Sequence, residues 1–466
     1  MSRRRTRRNK LPSEPVDLEI TALSHEGRGV AHIDGKVAFV DGALSGERLS
    51  ASYVRRRGKF DELRCEELYS HSEQRIEPAC KFAGQCGGCS LQHMDPDAQI
   101  EFKQSVLLDQ LQHSADLLPA DFEILPLLKG EQYYYRRKAR LAVRMVNKKG
   151  GALIGFREKY SSFITDMDNC KVLVAEVASL IAPLRALVTG LNANHDIPQI
   201  EVAVGEEKED QAGTVSSGSG QKLRVALIFR HLKPLLDDDL KALVAFAEQH
   251  QIHLYLQPAG MDSVHRVSPS PEERVDRLYY QLPEFDLTLA FHPTDFTQIN
   301  AGINRKIISK ALQLLELNEN DRVLDLFCGL GNFTLPLARR CKAVVGVEGS
   351  EEMVKRGNEN AELNNLENVS FYAADLFQSI EDKPWNSGEF TKILLDPPRS
   401  GAIEIIRQIA ALGAQKIVYI SCNPSTLARD TAELINAGYS LKSAGVMDMF
   451  PHTSHVESMA EFVKRD

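Results

Sequence analysis

Between residues 13 and 70, apolar and polar positions alternate in short runs broken by glycine: "VDLEITALS", "GRGVAHIDGKVAFVDGAL", "GERLSASYVRRRGKFDELRCEEL". A period of two marks strands with one face on a core, and the glycines mark turns. This stretch predicts a small OB-like β-barrel of a kind that often binds RNA. From about residue 98 to 285 helical and strand periods mix, predicting a central α/β domain. Within it, "GEEKEDQAGTVSSGSGQK" (205–222) has no period and reads as a flexible surface loop. From about residue 290, strands and helices alternate: "RVLDLF", "NFTLPLARR", "KAVVGVE", "SEEMVKRGNENAELN", "VSFYAAD", "KILLD", "KIVYIS". That order builds a parallel, doubly wound, Rossmann-like sheet with ligands at the carboxyl ends of its strands. The whole is predicted as a multidomain α/β chain: a basic arm (1–11), the barrel (12–72), the central domain (73–285) and the doubly wound domain (286–466).

Composition narrows the class. The 466 residues leave room for two or three cores, and 43% hydrophobic with 26% charged residues suits a globular protein. No apolar run nears the roughly 18 residues of a membrane span. The N-terminal "MSRRRTRRNK" is followed by no apolar segment, so it is not a secretory signal. A cytoplasmic protein with no membrane partner is expected, and nothing in the chain suggests more than a monomer. The formal net charge of −8 hides three basic clusters, residues 1–10, "YVRRRGK" (53–59) and "YYYRRKARLAVR" (133–144). Two are interleaved with tyrosines, a mixture that suits phosphates and bases.

Eight cysteines without an export signal argue against a disulfide framework and for metal or catalysis. "CKFAGQCGGC" sets Cys80, Cys86 and Cys89 five and two residues apart. One Cys-x-x-Cys pair with an offset third thiol departs from the zinc ribbon, which tends to use two such pairs. A fourth ligand must come from elsewhere, and Cys170 is the only cysteine between this group and the doubly wound domain. Zinc and an iron–sulfur cluster both remain open on spacing alone. Cys65, Cys328 and Cys341 read as structural thiols.

In "VLDLFCGLGNFTLPLA" (323–338), Gly329 and Gly331 allow a tight turn ahead of a helix, with Asp325 before it. The third glycine of the dinucleotide fingerprint is missing. Glu348 ends the next strand, where it can accept ribose hydroxyls, and Asp375 ends the one after, placed for an exocyclic adenine amine. Three acids on successive strand ends suit S-adenosylmethionine better than a dinucleotide.

"LLDPPRSG" (394–401) carries Arg399 where amino-methylating enzymes have an aromatic, which argues against N-methylation. Cys422, in "YISCNPST", lies at the next strand end, accessible and beside a sulfonium that would bias it towards thiolate. C5 of uracil is a poor nucleophile until something adds to C6, and a thiolate is the natural group to add. A base must then take the C5 proton. "DMFPHTSHVESMAEF" (448–462) offers His452, His455 and Glu457, among which geometry must choose.

"DFTQIN", "LDLFCGLGNF", "VVGVE", "LLDPPRSG", "ISCNPSTLARD" and "FPHTSHVE", in this order, resemble the S-adenosylmethionine-dependent RNA uracil-5-methyltransferases. The resemblance covers nearly the whole chain and makes the barrel similar to a TRAM domain. It implies a class I methyltransferase domain in which Gln298, Phe327, Asn332, Glu348, Asp375 and Asp396 bind the cofactor. It further implies Cys422 as nucleophile, Glu457 as the base for the C5 proton, and Asp396 beside the target base. For Cys80, Cys86, Cys89 and Cys170 it implies a [4Fe-4S] cluster. The barrel and the cysteines together point to a specific uridine of 23S ribosomal RNA as substrate. Transfer-RNA relatives typically lack both features, and the sister enzyme for another 23S uridine usually lacks the barrel. An inert RNA-binding ribosome-assembly factor is the rival from another class.

Overall fold

Asp34 and Gly35, both at positive φ (50° and 78°), fold the strand Gly29–Ile33 back onto Lys36–Asp41. Two consecutive residues of this kind make the tight turn whose twist suits a hairpin, and glycine takes the second place without strain. In the computed structural model, which describes residues 11–207, 222–270, 276–386 and 389–465, this hairpin belongs to a six-stranded sheet. The other strands are Val16–Glu19, Ala22–Leu23, Arg48–Arg56 and Phe60–Leu68, and the spatial order is first, fifth, sixth, fourth, third, second. Their inward positions, with Ile20, Ala38, Val40, Leu49 and Leu63 at the centre, form a core of their own. Residues 1–10 of the expected basic arm lie outside the described residues, as do 208–221 of the expected loop.

The chain divides into two compact units, one of residues up to Gln99 with Arg157–Phe163 and Pro451–His455, the other of Ile100–Phe156, Ile164–Phe450 and Val456–Asp466. In the first, the cysteine-bearing loop is laced to 157–159: Gly87 N–H donates to Arg157 O and Lys159 N–H to Gln85 O, both at 2.8 Å. His452 O accepts from the N–H groups of Ser90 and Leu91 at 2.9 Å.

The second unit holds two eight-stranded sheets. In the mixed one, Gly205 and Glu206, expected to open a loop, finish the strand Gln199–Glu206. The reason is electrostatic: Glu206 is buried between Arg137 and Arg305, at 2.5 and 2.7 Å. Lys138 donates to the main-chain oxygen of Asp295. Two cations of the 133–144 cluster, Arg137 just before the strand Lys138–Val146 and Lys138 at its start, are therefore bound inside the unit by buried acceptors.

The C-terminal sheet runs Val369–Ala373, Ala343–Glu348, Arg322–Leu326, Lys392–Leu395 and Lys416–Ser421, all parallel. It continues antiparallel through Glu457–Lys464 to Tyr439–Met447, with Glu123–Ile124 on the edge. Four of the parallel strands are apolar on both faces, the edge strand Val369–Ala373 burying only Phe371. Val323, Val344, Leu394 and Val418 enter one core, and Leu324, Val345, Leu395 and Tyr419 the other. That double burial explains the near-continuous apolar runs in the sequence. The strand order reverses between Arg322–Leu326 and Lys392–Leu395, the place where such sheets open a crevice.

Candidate active site

Cys422 stands where the strand Lys416–Ser421 is stopped by its own sequence. Asn423 caps the following helix, its Oδ1 accepting from Ser425 N–H at 3.2 Å, and Pro424 occupies the first turn. An asparagine cap followed by proline is a strong helix start, so the chain turns at the cysteine and leaves it half-buried at the strand's carboxyl end.

The glycine turn is built differently. Phe327 adopts φ 62°, a left-handed conformation that is strained for an aromatic residue, and Gly329 and Gly331 follow at 56° and 99°. Glu348 braces the turn: Oε2 accepts from Gly329 N–H and Oε1 from Ser350 N–H, each at 3.1 Å. Asn332 is fixed by Tyr280 Oη at 3.0 Å and by reciprocal bonds with the Asn304 amide at 2.8 and 3.0 Å. Gly346 admits no side chain, since a Cβ there would come within 2.9 Å of the Phe371 ring.

These strand ends surround one cleft of about 880 Å³. Gln298, Phe327, Asn332, Glu348, Asp375, Asp396, Cys422 and Glu457 all line it. So do Tyr280 and Phe450, which the sequence did not single out, as well as Phe296 and Arg399. Tyr280 comes from the other sheet, and nothing local in "LYYQL" marks it. Among the three candidate bases only Glu457 lines the cleft. His452 is buried in the first unit, its Nδ1 3.3 Å from Gln99 Nε2. Asp325, read as a cleft acid, is instead wholly buried, accepting from Thr334 Oγ1 at 2.6 Å. Burial pushes its carboxyl up to about 8, with Asp396 and Glu348 adding to the rise. Within "RVLDL" it points into the sheet's packing rather than to the strand end.

Two carboxyls of the cleft, Asp396 and Glu457, are also raised. Loss of water raises the Asp396 carboxyl to about 7, and burial, reinforced by Asp396, raises Glu457 to about 8 against the opposing charge of Lys103. Cys422 is pushed up to about 11 by burial, then by Glu457 and Asp396, with Arg399 pulling the other way. Burial, and then the two carboxylates against the one arginine, therefore favour the thiol, and the expected bias towards thiolate belongs to the cleft that holds a sulfonium. A cation placed in the cleft would reverse the balance.

Cys86 and Cys89 are buried and Cys80 is half-buried in the first unit, while Cys170 is buried in the second. Gly88 N–H donates to Cys86 Sγ at 3.4 Å, a bond that favours a thiolate. Among the described residues no three His, Cys, Asp or Glu side chains are grouped so as to hold a metal ion.

Comparison with known proteins gives a consistent set. Residues 225–465 match the family model described as tRNA (Uracil-5-)-methyltransferase, and residues 13–51 match the TRAM domain. The 23S rRNA (uracil(1939)-C(5))-methyltransferase RlmD of Hahella chejuensis is 51% identical, covering 98% of this chain and 99% of its own length. RlmD of Alkalilimnicola ehrlichii is 51% identical over 98% of both chains. Among solved structures, the Pyrococcus abyssi tRNA (uracil-54, C5)-methyltransferase in complex with S-adenosyl-L-homocysteine superposes with a TM-score of 0.70 at 24% identity. That match covers 96% of this chain and all of the other, and it shows a shared fold: a class I methyltransferase domain.

Proposed function

The chain belongs to the RNA (uracil-5-)-methyltransferase family, and from that premise we propose that it transfers a methyl group from S-adenosylmethionine to C5 of uridine 1939 of 23S rRNA. The observation that carries the chemistry is the meeting of Cys422 and Glu457 in one cleft with the acids of three neighbouring strand ends. An RNA substrate is supported by the TRAM match, and the 23S substrate by relatives of near-full length.

The residues present fit the cofactor. Glu348 offers a carboxylate to ribose hydroxyls once it releases Gly329, Asp375 an acceptor to an adenine amine, and Phe327 an aromatic wall. Gln298 and Asn332 border the same space. When bound, S-adenosylmethionine supplies an electrophilic methyl group and a positive charge.

The chain's own groups then account for the cycle. Cys422 gives its proton to solvent, to which its half-buried side chain is open, and its sulfur adds to C6, sending the electron pair towards O4 and making C5 nucleophilic. Asp396, titrating near neutrality, can present the base with either a proton or an acceptor. After C5 has taken the methyl group, the Glu457 carboxylate removes the C5 proton; the C5–C6 double bond re-forms and the sulfur leaves. A stacked uridine reaches the cleft only by being flipped out of its helix.

Cys80, Cys86, Cys89 and Cys170 are read as the ligands of a [4Fe-4S] cluster, supported by the all-thiol donor set, the N–H···S bond to Cys86 and the burial of three of the four. No step of the reaction runs through it. The N-terminal sheet is read as a closed OB-like barrel, since its first and third strands touch although they lie near opposite ends of the strand order. The divisions near residues 72 and 285 are retained as domain boundaries of a cytoplasmic monomer. No described helix is long and apolar enough to cross a membrane. The function is tested by giving the purified protein labelled cofactor and 23S rRNA from a strain lacking it: methyl transfer to one uridine is expected, and transfer to an amine or none would refute it.

A further inference from the structure

Behind the cleft, the Lys103 side chain is 0% exposed. Its Nζ donates to Asp448 Oδ1 at 2.7 Å and to the main-chain oxygen of Phe450 at 3.0 Å, while Gln132 Nε2 reaches Asp448 Oδ2 at 3.2 Å. Lys103 lies on the helix Pro96–Ala115, which otherwise gives Ile100, Val106, Leu107 and Leu111 to an apolar core. Stability alone does not call for an ion pair in such a place, because an apolar residue of similar volume avoids its desolvation. The pair's position is informative. Phe450 lines the cleft, and Met447, the residue before Asp448, is paired directly opposite Glu457. The two bonds of Lys103 therefore fix a corner that carries one cleft wall and flanks the strand position of Glu457.

We propose that Lys103 is a positioning residue of the reaction, holding the 448–450 corner and supplying the buried positive charge that keeps Glu457 able to take the C5 proton as a carboxylate. The inference rests on the reading of Glu457 as the base. The charged and titratable groups facing Glu457 are Asp396 and Cys422 from the neighbouring strand ends and Lys103, with Asp448 bound to Lys103. Asp396 opposes ionisation of Glu457 and Lys103 favours it. In the last step the C5 proton passes to the carboxylate, the C–H pair re-forms the double bond and the bond from Cys422 sulfur to C6 breaks. A protonated Glu457 cannot accept that proton, so the methylated RNA stays attached to the enzyme.

The test uses full-length Lys103→Met, Lys103→Arg and the double variant Lys103→Met with Asp448→Leu, which removes both buried charges together. Single-turnover methylation of a 23S fragment is followed from about pH 6 to about pH 9.5, with covalent RNA adduct read on denaturing gels. In Lys103→Met the acid limb should move up by about one pH unit, with turnover near pH 7 falling about tenfold. Adduct should accumulate on ordinary uridine, and Lys103→Arg should restore the wild-type limb. The double variant should keep the shifted limb and is read in place of the single one should that fail to fold. An acid limb that coincides with wild type while the rate falls equally at every pH would overturn the inference, as would Lys103→Arg being as impaired as Lys103→Met. Failure of the wild type to form an adduct with 5-fluorouridine RNA would overturn the functional reading itself.

Discussion

The buried carboxylate of Asp430 accepts the main-chain N–H of Ala402 at 2.7 Å. The same oxygen accepts from Tyr419 Oη at 2.7 Å, and Oδ1 takes the Arg429 guanidinium. One side chain thereby joins the strand that leads to Cys422, the helix that follows it and the loop after Asp396. Asn423 Nδ2 and Arg429 Nη2 add bonds to the main-chain oxygens of Arg399 and Ser400, at 2.9 and 3.0 Å.

Asp430→Ala should therefore act on geometry as well as stability. It leaves an N–H and a hydroxyl unpaired away from water, a loss of about 3 kcal/mol. Turnover should fall by about 10²-fold from misplacement of the two strand ends, with cofactor affinity little changed. Urea unfolding, calorimetric titration with cofactor and kcat together check this. A variant that loses stability but keeps kcat would show that the loop holds its place without Asp430.

Glu457 links pH to both stability and turnover. Its folded value of about 8 lies above its unfolded one, so the folded state binds the extra proton. The stability it contributes is complete below the ordinary carboxylate range and is lost as pH rises through about 8. Glu457→Gln, permanently neutral, should be more stable than wild type near pH 8.5 and gain nothing near pH 4. On RNA it should complete methyl transfer and stall as an adduct. Urea midpoints at the two pH values and a denaturing gel measure these outcomes.

Phe327 holds a left-handed backbone at the mouth of the glycine turn, its ring 6.2 Å from that of Phe377. Phe327→Gly relieves strain of about 1 kcal/mol, offset by the entropy of glycine, so the melting temperature should barely move. Cofactor affinity should drop about tenfold with the aromatic wall gone. Phe327→Leu keeps the strain and should lose both affinity and some stability.

For the cysteine group, protein purified without air should carry about four irons and four acid-labile sulfides per chain. Cys86→Ser should lower both. Zinc found instead, without sulfide, would replace the cluster reading by a zinc site.

Much of this was legible in the sequence, for physical reasons that can be named. Strands buried on both faces read as continuous apolar runs, and caps such as Asn423 with Pro424 mark where they end; hence the strand-end acids and Cys422 could be placed in one crevice. Asp325 misled because an acid in an apolar run looks functional, whereas it is buried against Thr334. Lys103, Tyr280 and Asn304 gave no local signal, since each meets the site through contacts distant along the chain. The choice among His452, His455 and Glu457 turned on where the strand Glu457–Lys464 begins, since both histidines lie in the turn before it. The ionisation of Cys422 could not be read from "SCNPS", because it depends first on burial and then on Glu457 and Asp396 brought in from elsewhere.

The most direct test of the central claim is a denaturing gel of the protein incubated, without air, with S-adenosylmethionine and a 23S fragment bearing 5-fluorouridine. Fluorine cannot leave as a proton, so the enzyme should be caught as a covalent complex that disappears in Cys422→Ala while cofactor binding persists. Efficient methylation of the unsubstituted fragment with no such complex, or a complex that survives in Cys422→Ala, would contradict the assignment of Cys422 as the nucleophile.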